Sequence, residues 1–474
     1  SRGLGDVYKR QAPLALKLTV MTQSTSKRPD LLKGDIQATM KQMTVPVLFG
    51  MITLMSFNLV DTFFISMLGT AELAAVSFTF PVTFTVISLA IGLSIGTSAV
   101  IARALGSGDE QSARSDGLAA LWLSAYLVIA LSIVGYLTID PLFRLLGAKE
   151  DTLPFIHDYM DIWFFGAVFL ITPMIGNAVL RAAGDTKTPS ILMACAGLLN
   201  AVLDPILIFG WGPVPAMGVA GASLASLISW LLGFGLILYL LMVRRKLIDT
   251  GHQPFAEFIN ISRKILHIGL PAAGANMLTP LAMAILTALM ASYGAEAVAA
   301  FGVGARIESI ASLVVLALSM TLPPFVSQNY GACAYDRIHT AYRSCIRFIL
   351  GWQFLVYLGL AASAWLVADI FTKDPLVAQY IRYFIWILPL GYGLQGIIIL
   401  TNSSFNALHL PLNALQLSVI RLFVFYVPFA YVGGLLGGVV GVFAGGLIAN
   451  AFTSSLAYYW FKRKLAALTL SGES

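Results

Sequence analysis

Two carboxylates and two carboxamides lie inside long apolar segments of the sequence. Asp204 lies in LLNAVLDPILIFG, and Asn200 precedes it by one helical turn on the same helix face. Asp61 lies in FNLVDTFFISMLG, and Asn177 lies in MIGNAVLRAAGD. Together these side chains can form an oxygen-rich pocket. Such a pocket could hold a proton on a buried carboxylate, or a sodium ion coordinated by Asp61, Asp204 and Asn200.

Plainer roles for these residues are also open. Asp204 could hydrogen-bond to a backbone bent by Pro205, which removes one helical donor, and Asp61 could cap a helix end. Three apolar or aromatic side chains, Phe57, Met174 and Tyr392, could line an adaptable substrate cavity, although core packing is the common role of such residues.

The segments that carry these residues are those of a membrane protein. Hydrophobic residues make up 58% of the 474 residues and charged residues only 11%, whereas a soluble domain carries about a quarter charged residues. Many uncharged runs reach about 20 residues, the length that a helix needs to cross a bilayer. The runs are continuously apolar, which excludes the alternating pattern of a transmembrane β-barrel. We therefore predict an all-α integral membrane protein.

Twelve transmembrane helices can be placed. They lie at about 39–67, 72–105, 117–140, 152–183, 187–210, 216–243, 262–292, 296–332, 338–369, 376–408, 411–434 and 436–462. Lys and Arg concentrate in the even-numbered connections and at both chain ends, which places both termini in the cytoplasm. This placement also explains the net charge of +6 without a nucleic-acid partner. We expect a multi-pass protein of the bacterial cytoplasmic (inner) membrane.

An internal repeat divides the chain into two halves. An offset of 225 residues superposes Gly69 on Gly294, Gly106 on Gly331, and Asn177 on Asn402. Six spans per half is an even number, so we predict two six-helix bundles related by a pseudo-twofold axis along the membrane normal.

The predicted boundaries follow from this repeat. They are an N-terminal lead at 1–38, an N-lobe at 39–243, a cytoplasmic linker at 244–261, a C-lobe at 262–464 and a cytoplasmic tail at 465–474. Residues 1–20 look non-native, and Met21 is a plausible start. At the repeat offset the counterparts of Asp61 and Asp204 are Leu286 and Phe429, so carboxylate chemistry is expected only in the N-lobe.

These segments resemble the multidrug and toxic compound extrusion (MATE) transporters over residues 39–464. The resemblance rests on NLVDTFFISMLGTAELAAVSF, NAVLRAAGDTKTP, LNAVLDPILIFGWGP and VAGASLAS. It is strongest to the DinF-like branch, and it implies that Asp61 and Asp204 couple a cation, with Asn200 and Asn177 as polar neighbours. In such relatives, cation binding is thought to bend the first helix and reshape the cavity. The acidic residues of the NorM-like branch in spans seven and ten are missing here, which favours coupling in the first lobe.

The predicted function is secondary active efflux. An antiporter would export amphipathic or cationic organic compounds in exchange for protons or sodium, by alternating access. No Walker, zinc or nucleophile motif is present, so we predict no enzyme activity and no cofactor beyond the coupling H+ or Na+. The expected partners are a small-molecule substrate and the lipid bilayer, with the protein as a monomer.

The sequence gives less support to two other functions. A flippase of a lipid-linked precursor or polysaccharide would favour a strongly basic cavity, for which only Arg421 and Arg306 are candidates. An intramembrane enzyme or a scaffold would need a catalytic constellation or a large extramembrane domain, and the sequence contains neither.

Overall fold

The computed structural model describes residues 29–249, 251 and 253–472, and this part of the chain is helical apart from short connections. The predicted non-native segment 1–20 and the start at Met21 lie outside the described residues. Within the described residues, the one β-type contact is an isolated bridge between Trp211 and Val214. The all-α prediction is therefore confirmed.

The first lobe contains six long helices and one short one. They are α1 (Ile36–Ser66), α2 (Thr70–Gly106), α3 (Glu110–Leu137), the short α4 (Ile139–Leu145), α5 (Leu153–Ala182), α6 (Lys187–Phe209) and α7 (Gly218–Tyr239). A π-helical turn, Leu240–Arg244, extends α7. Asp35 caps α1, because its side chain accepts a hydrogen bond from the Ala38 backbone N–H.

The second lobe repeats the pattern with more irregular helices. They are α8 (Phe255–Ala291), α9 (Ala295–Ala311), α10 (Leu313–Gly331), α11 (Tyr335–Phe371), α12 (Pro375–Ile387), α13 (Tyr392–Ala407), α14 (Pro411–Val419) and α15 (Val427–Gly472). The axes of α9 and α10 differ by 45°, so together they form one broken span. A 3-10 turn, Leu388–Gly391, joins α12 to α13, and a π-helical turn, Ile420–Tyr426, joins α14 to α15.

The last two spans are joined by a kink inside α15. Gly437 has φ −142° and Gly438 has φ +58°, so the helical path breaks there. Spans 11 and 12 therefore meet at these glycines, which gives six spans per lobe. Helix α8 begins at Phe255, inside the predicted linker 244–261, and α15 extends to Gly472, beyond the predicted edge of the C-lobe at 464.

The backbone supports the internal repeat. Three pairs of residues separated by the repeat offset have positive φ angles at helix ends: Gly69 (+156°) with Gly294 (+113°), Gly108 (+82°) with Cys333 (+56°), and Gly184 (+80°) with His409 (+59°). Positive φ is uncommon outside glycine. The second half thus keeps the backbone turns of the first half even where its side chains differ.

Small residues let the two lobes approach closely. On α2, Gly92 and Gly96 form a GxxxG pair, and a Cβ atom on either one would overlap the backbone of α8 at Gly269 or Ile265. Close approach of this kind is typical of membrane helices, in which van der Waals packing drives association.

Hydrogen bonds join the lobes at one end of the molecule, here named the closed end, where α1 begins and α2, α5, α10 and α13 end. Gln328 Nε2 donates to the Ala182 carbonyl over 2.7 Å. His409 Nε2 donates to the Ala99 carbonyl over 3.2 Å. Deeper in the bundle, the hydroxyls of Thr44 and Thr321 lie 2.9 Å apart. The hydrogen bonds described between the lobes all lie in this half of the molecule.

Candidate functional site

The predicted carboxylate of α6 is fully buried and has one local partner. The Asp204 side chain is 0% exposed. Asn200 Nδ2 donates to Asp204 Oδ1 over 3.2 Å and also lies 3.3 Å from the hydroxyl of Ser226 on α7. The second carboxylate oxygen of Asp204, Oδ2, is buried without a hydrogen-bond partner in the described structure. One oxygen of Asp204 is thus held by Asn200, and the other is free to accept.

The predicted carboxylate of α1 faces the same region. Asp61 is half-buried, and its Oδ1 atom is buried without a hydrogen-bond partner among the described residues. Asp61 and Asp204 interact electrostatically with each other, and both act on the hydroxyl of Tyr159 from α5. Asp61, Asp204 and Tyr159 therefore form one cluster between α1, α5 and α6, here named the first-lobe pocket.

The close packing of α1 on α6 positions this pair. A Cβ on Gly50 of α1 would lie 3.0 Å from Cβ of Ser190, and a Cβ on Gly197 of α6 would overlap the Phe57 ring. The predicted cavity residue Phe57 is thus in contact with α6, one turn from Asp61 along α1 and close to Asn200. Small residues at these two crossings bring the carboxylates together.

The other predicted residues take separate places. Asn177 is buried near the closed end of α5 with Oδ1 unpaired, and no described hydrogen bond links it to either carboxylate. Met174 packs at the edge of the first-lobe core, and its carbonyl lies 3.5 Å from the Ser94 hydroxyl. Tyr392 lies in the other lobe and is only 3% exposed.

Sequence reasoning missed two contributors to the first-lobe pocket. Tyr159 lies in the predicted span 152–183, from which only Asn177 and Met174 were singled out, and Ser226 ends the segment VAGASLAS, which was used only for the family resemblance. Both are polar side chains within apolar spans, which is the signal that could have identified them.

The chemistry of the first-lobe pocket is that of a proton or a hard cation. Two negative carboxylates in a poorly solvated pocket repel each other, and a proton or an oxygen-coordinated cation relieves that repulsion. Within the described residues, no group of three or more His, Cys, Asp or Glu side chains is placed to hold a metal ion. The side chains that we assign to the pocket offer oxygen atoms, which suit a proton or a hard cation rather than a transition metal.

A second polar cluster lies in the other lobe. Gln395 Nε2 donates to Glu308 Oε1 over 2.8 Å. The Arg421 guanidinium carbon lies 5.9 Å from the centre of the Tyr426 ring. The buried hydroxyl of Tyr392 has no hydrogen-bond partner in the described structure. From the sequence, Arg421 was a candidate only for a basic cavity, and nothing in the sequence groups it with these neighbours.

Comparison with known proteins agrees with this architecture. The MatE family model matches residues 46–206 and again residues 271–432, two segments that begin 225 residues apart, as the repeat requires. A FAD transporter of Shewanella oneidensis is 41% identical over 436 residues, covering 92% of this chain and 96% of that protein. The probable multidrug resistance protein YpnP of Bacillus subtilis is 26% identical and covers 92% and 97%.

Solved structures share the fold. The Vibrio cholerae MATE transporter VcmN in the bent form superposes with a TM-score of 0.87 at 34% identity, covering 92% of this chain and 98% of that one. The predicted twelve-helix, two-bundle fold is therefore confirmed. The members of this family are transporters and not enzymes. By its two matched halves, its full-length relatives and its fold, the chain belongs to the MatE family, the MATE transporters.

Proposed function

We propose that this protein is a secondary active exporter of large amphipathic organic molecules, driven by protons or sodium ions at Asp61 and Asp204. The observation that carries the proposal is the shared first-lobe pocket, where each carboxylate keeps one buried oxygen without a partner. The counterparts in the second lobe are Leu286 and Phe429, so this pair of carboxylates has no equivalent there.

The pocket suggests how ion binding could act on the helices. Asn200 holds one oxygen of Asp204, which leaves the other oxygen directed to an arriving proton or cation. Uptake removes the repulsion between the two carboxylates and so changes the preferred distance between α1 and α6. Pro46 lies inside α1 and Pro205 lies inside α6, and each proline deprives its helix of a backbone hydrogen bond, so both helices are suited to bend in response.

The direction of transport follows from the predicted topology. With both termini in the cytoplasm, the closed end faces the cytoplasm, and the carboxylates lie in the opposite halves of α1 and α6. A cation can then enter the pocket from outside the cell while the cytoplasmic side is closed. This arrangement fits alternating access, in which the incoming ion drives the outgoing substrate. The setting we propose is the bacterial cytoplasmic membrane, with the protein as a monomer.

A flavin dinucleotide is the substrate that we favour over a cationic drug. The relative named as a FAD transporter is 41% identical over nearly its whole length. By contrast, the probable multidrug resistance protein YpnP is 26% identical, and the multidrug export protein MepA of Staphylococcus aureus is 23% identical. An arginine in the second lobe, Arg421, offers positive charge to an anionic substrate, and a cationic drug would be repelled by it.

Transport by proteoliposomes tests the proposal directly. Protein is reconstituted with FAD or the cationic dye ethidium inside the vesicles, and proton and sodium gradients are imposed separately. We expect Asp61→Asn and Asp204→Asn each to lower gradient-driven efflux at least about tenfold, while the exposed Asp369→Asn variant behaves as the parent. Equal gradient-driven efflux in the parent and in both pocket variants would remove the coupling mechanism.

A further inference from the structure

Arg421 is a cation near the middle of its predicted span, and no acidic side chain among the described residues forms an ion pair with it. It lies in the π-helical turn Ile420–Tyr426 and is half-buried. In the described part of the chain it forms no hydrogen bond and no ion pair, and its one ring contact is with Tyr426. A guanidinium carries five donors, and leaving them unpaired away from water is costly. Intramembrane charges of this kind typically face a cavity and mark a substrate path.

The nearest carboxylate is already engaged. Glu308 interacts with Arg421 electrostatically, but the two do not come within ion-pair distance. The Glu308 carboxylate instead accepts the 2.8 Å hydrogen bond from Gln395. Glu308 therefore moderates the positive charge of Arg421 without occupying its donors.

A second group in the cluster also lacks a partner. Tyr392 is 3% exposed, and its hydroxyl is buried without a hydrogen bond among the described residues. It lies within electrostatic range of Glu308 and of Tyr426. Near the middle of its helices, the cluster thus combines two aromatic rings with a guanidinium and a hydroxyl that lack hydrogen-bond partners among the described residues. Transporters with parallel repeats place their substrates at this level.

The local backbone is unusual at the same place. Arg421 lies in a π-helical turn. Such turns are rare in proteins overall, and those that occur are frequently found at functional sites. The 3-10 turn Leu388–Gly391 lies immediately before Tyr392. Both departures from regular α-helix therefore occur in the second lobe, one containing Arg421 and the other directly preceding Tyr392.

We propose that Arg421, with the Tyr392 hydroxyl, is an anion subsite that binds the diphosphate of an exported flavin dinucleotide, with Tyr426 beside it. This rests on the export function proposed above and assigns the second lobe to substrate recognition, as the first lobe is assigned to ion coupling. A planar guanidinium binds phosphate oxygens through paired hydrogen bonds, which a lysine cannot reproduce. Tyrosine rings offer faces against which flat heterocycles pack.

Equilibrium binding to the purified full-length protein tests the subsite, with FAD, FMN and riboflavin as probes followed by flavin fluorescence. Riboflavin has the same ring system and no phosphate. We expect the parent to bind FAD about tenfold to a hundredfold more tightly than riboflavin, as charge-assisted hydrogen bonds imply. Arg421→Gln should abolish that preference and leave riboflavin affinity within about twofold, and Arg421→Lys should restore part of it.

The controls separate folding from recognition. Arg343→Gln removes an exposed arginine of α11 in the same lobe and should bind all three flavins as the parent does. Size-exclusion profiles and thermal unfolding midpoints show whether each variant is folded. If Arg421→Gln does not fold, Tyr392→Phe removes only the unpaired hydroxyl and should weaken FAD binding without affecting riboflavin.

The outcomes distinguish the subsite from the transport proposal. FAD efflux by the parent together with an unchanged FAD preference in Arg421→Gln would overturn the subsite alone. A parent that neither binds nor exports FAD would overturn the flavin substrate and this subsite together. Farnesyl diphosphate serves as the probe for a lipid-linked diphosphate. If the parent binds farnesyl diphosphate but not FAD, and Arg421→Gln loses that binding, the subsite recognises a lipid diphosphate and the flavin assignment is overturned.

Discussion

Gly106 at the end of α2 and Gly331 at the end of α10 make a reciprocal contact across the pseudo-twofold axis. A Cβ atom on Gly106 would overlap the Gln328 backbone, and a Cβ atom on Gly331 would overlap the Arg103 backbone. Arg103 and Gln328 are themselves related by the repeat offset, so each glycine packs on the equivalent turn of the other lobe. The duplication therefore built a symmetric contact at the closed end, and that contact requires glycine.

Substitution of Gly106 by Ala is expected to force the lobes apart at the closed end. The new methyl group meets backbone rather than a flexible side chain, so the contact cannot relax locally, and overpacking of this kind costs about 1–3 kcal/mol. We expect a lower thermal unfolding midpoint and slower substrate efflux. Gly351→Ala is the matched control, because nothing lies within 4 Å of a Cβ on that glycine of α11. A midpoint for Gly106→Ala as high as that of Gly351→Ala would contradict the reciprocal contact.

His409 is expected to make stability depend on pH. Burial lowers its pKa to about 4, helped by the positive charges of Arg103, His267 and Lys264, while its hydrogen bond to Ala99 acts the other way. Below the usual histidine pKa of about 6.5, the unfolded chain binds a proton that the folded chain resists. The contribution of neutral His409 to the free energy of unfolding is therefore fully present above about pH 6.5 and is lost as the pH falls towards 4. Between pH 7.5 and pH 5 this single group should contribute a loss on the order of 1–2 kcal/mol.

The variant His409→Asn isolates this effect. Asn tolerates the positive φ of +59° at this position, so the backbone turn is kept. Because Asn does not titrate, the substitution removes the group whose protonation depends on folding. Thermal unfolding of both proteins at pH 7.5 and pH 5 should show a smaller decrease for His409→Asn. An identical decrease in the two proteins would show that His409 is not held neutral by the fold.

The sequence predicted the fold well because membrane insertion leaves strong signals. Uncharged runs located the spans, and repeated glycines at one offset predicted the two lobes, which the positive φ angles of Gly69 and Gly294 later matched. The pairing of Asp61 with Asp204 was also expected. The helix breaks were not, since neither the 45° bend between α9 and α10 nor the π-helical turn at Arg421 changes the run of apolar residues that locates a span. Tyr159 and Ser226 were missed because a polar residue in an apolar span does not itself reveal which helix it faces.

Removal of the Asn200 amide is expected to affect ion affinity more than folding. In Asn200→Leu, Asp204 loses its described side-chain hydrogen bond, and its carboxylate becomes less favourable to ionise. Transport should then require a roughly tenfold higher sodium concentration if sodium is the coupling ion, or shift to higher pH if a proton is. Efflux is measured against sodium concentration and against pH in separate series.

Ser226→Ala provides the comparison for Asn200→Leu. It removes the 3.3 Å partner of the Asn200 amide but leaves the amide beside Asp204. We expect a shift of no more than about threefold in the same measurements. An equal shift in both variants would mean that the orientation of Asn200, and not its bond to Asp204, sets the affinity.

Asp61 and Asp204 are expected to act as one unit, which a double-mutant cycle can test. If the two carboxylates share a single proton or cation, loss of either one already removes coupling, and the second substitution has nothing left to remove. Asp61→Asn, Asp204→Asn and the double variant should then show equally low gradient-driven efflux.

Two independent carboxylates would instead give effects that multiply, because each would retain a separate part of the driving force. Asp369→Asn in combination with Asp204→Asn is the control pair, since Asp369 is exposed on the other lobe and should add no loss to that of Asp204→Asn. Passive, downhill substrate exchange is measured in the same vesicles, because a variant that still exchanges substrate has lost coupling rather than its fold. A double variant clearly slower than both single variants in the gradient-driven assay, with exchange unchanged, would separate the carboxylates into two sites and contradict the shared pocket.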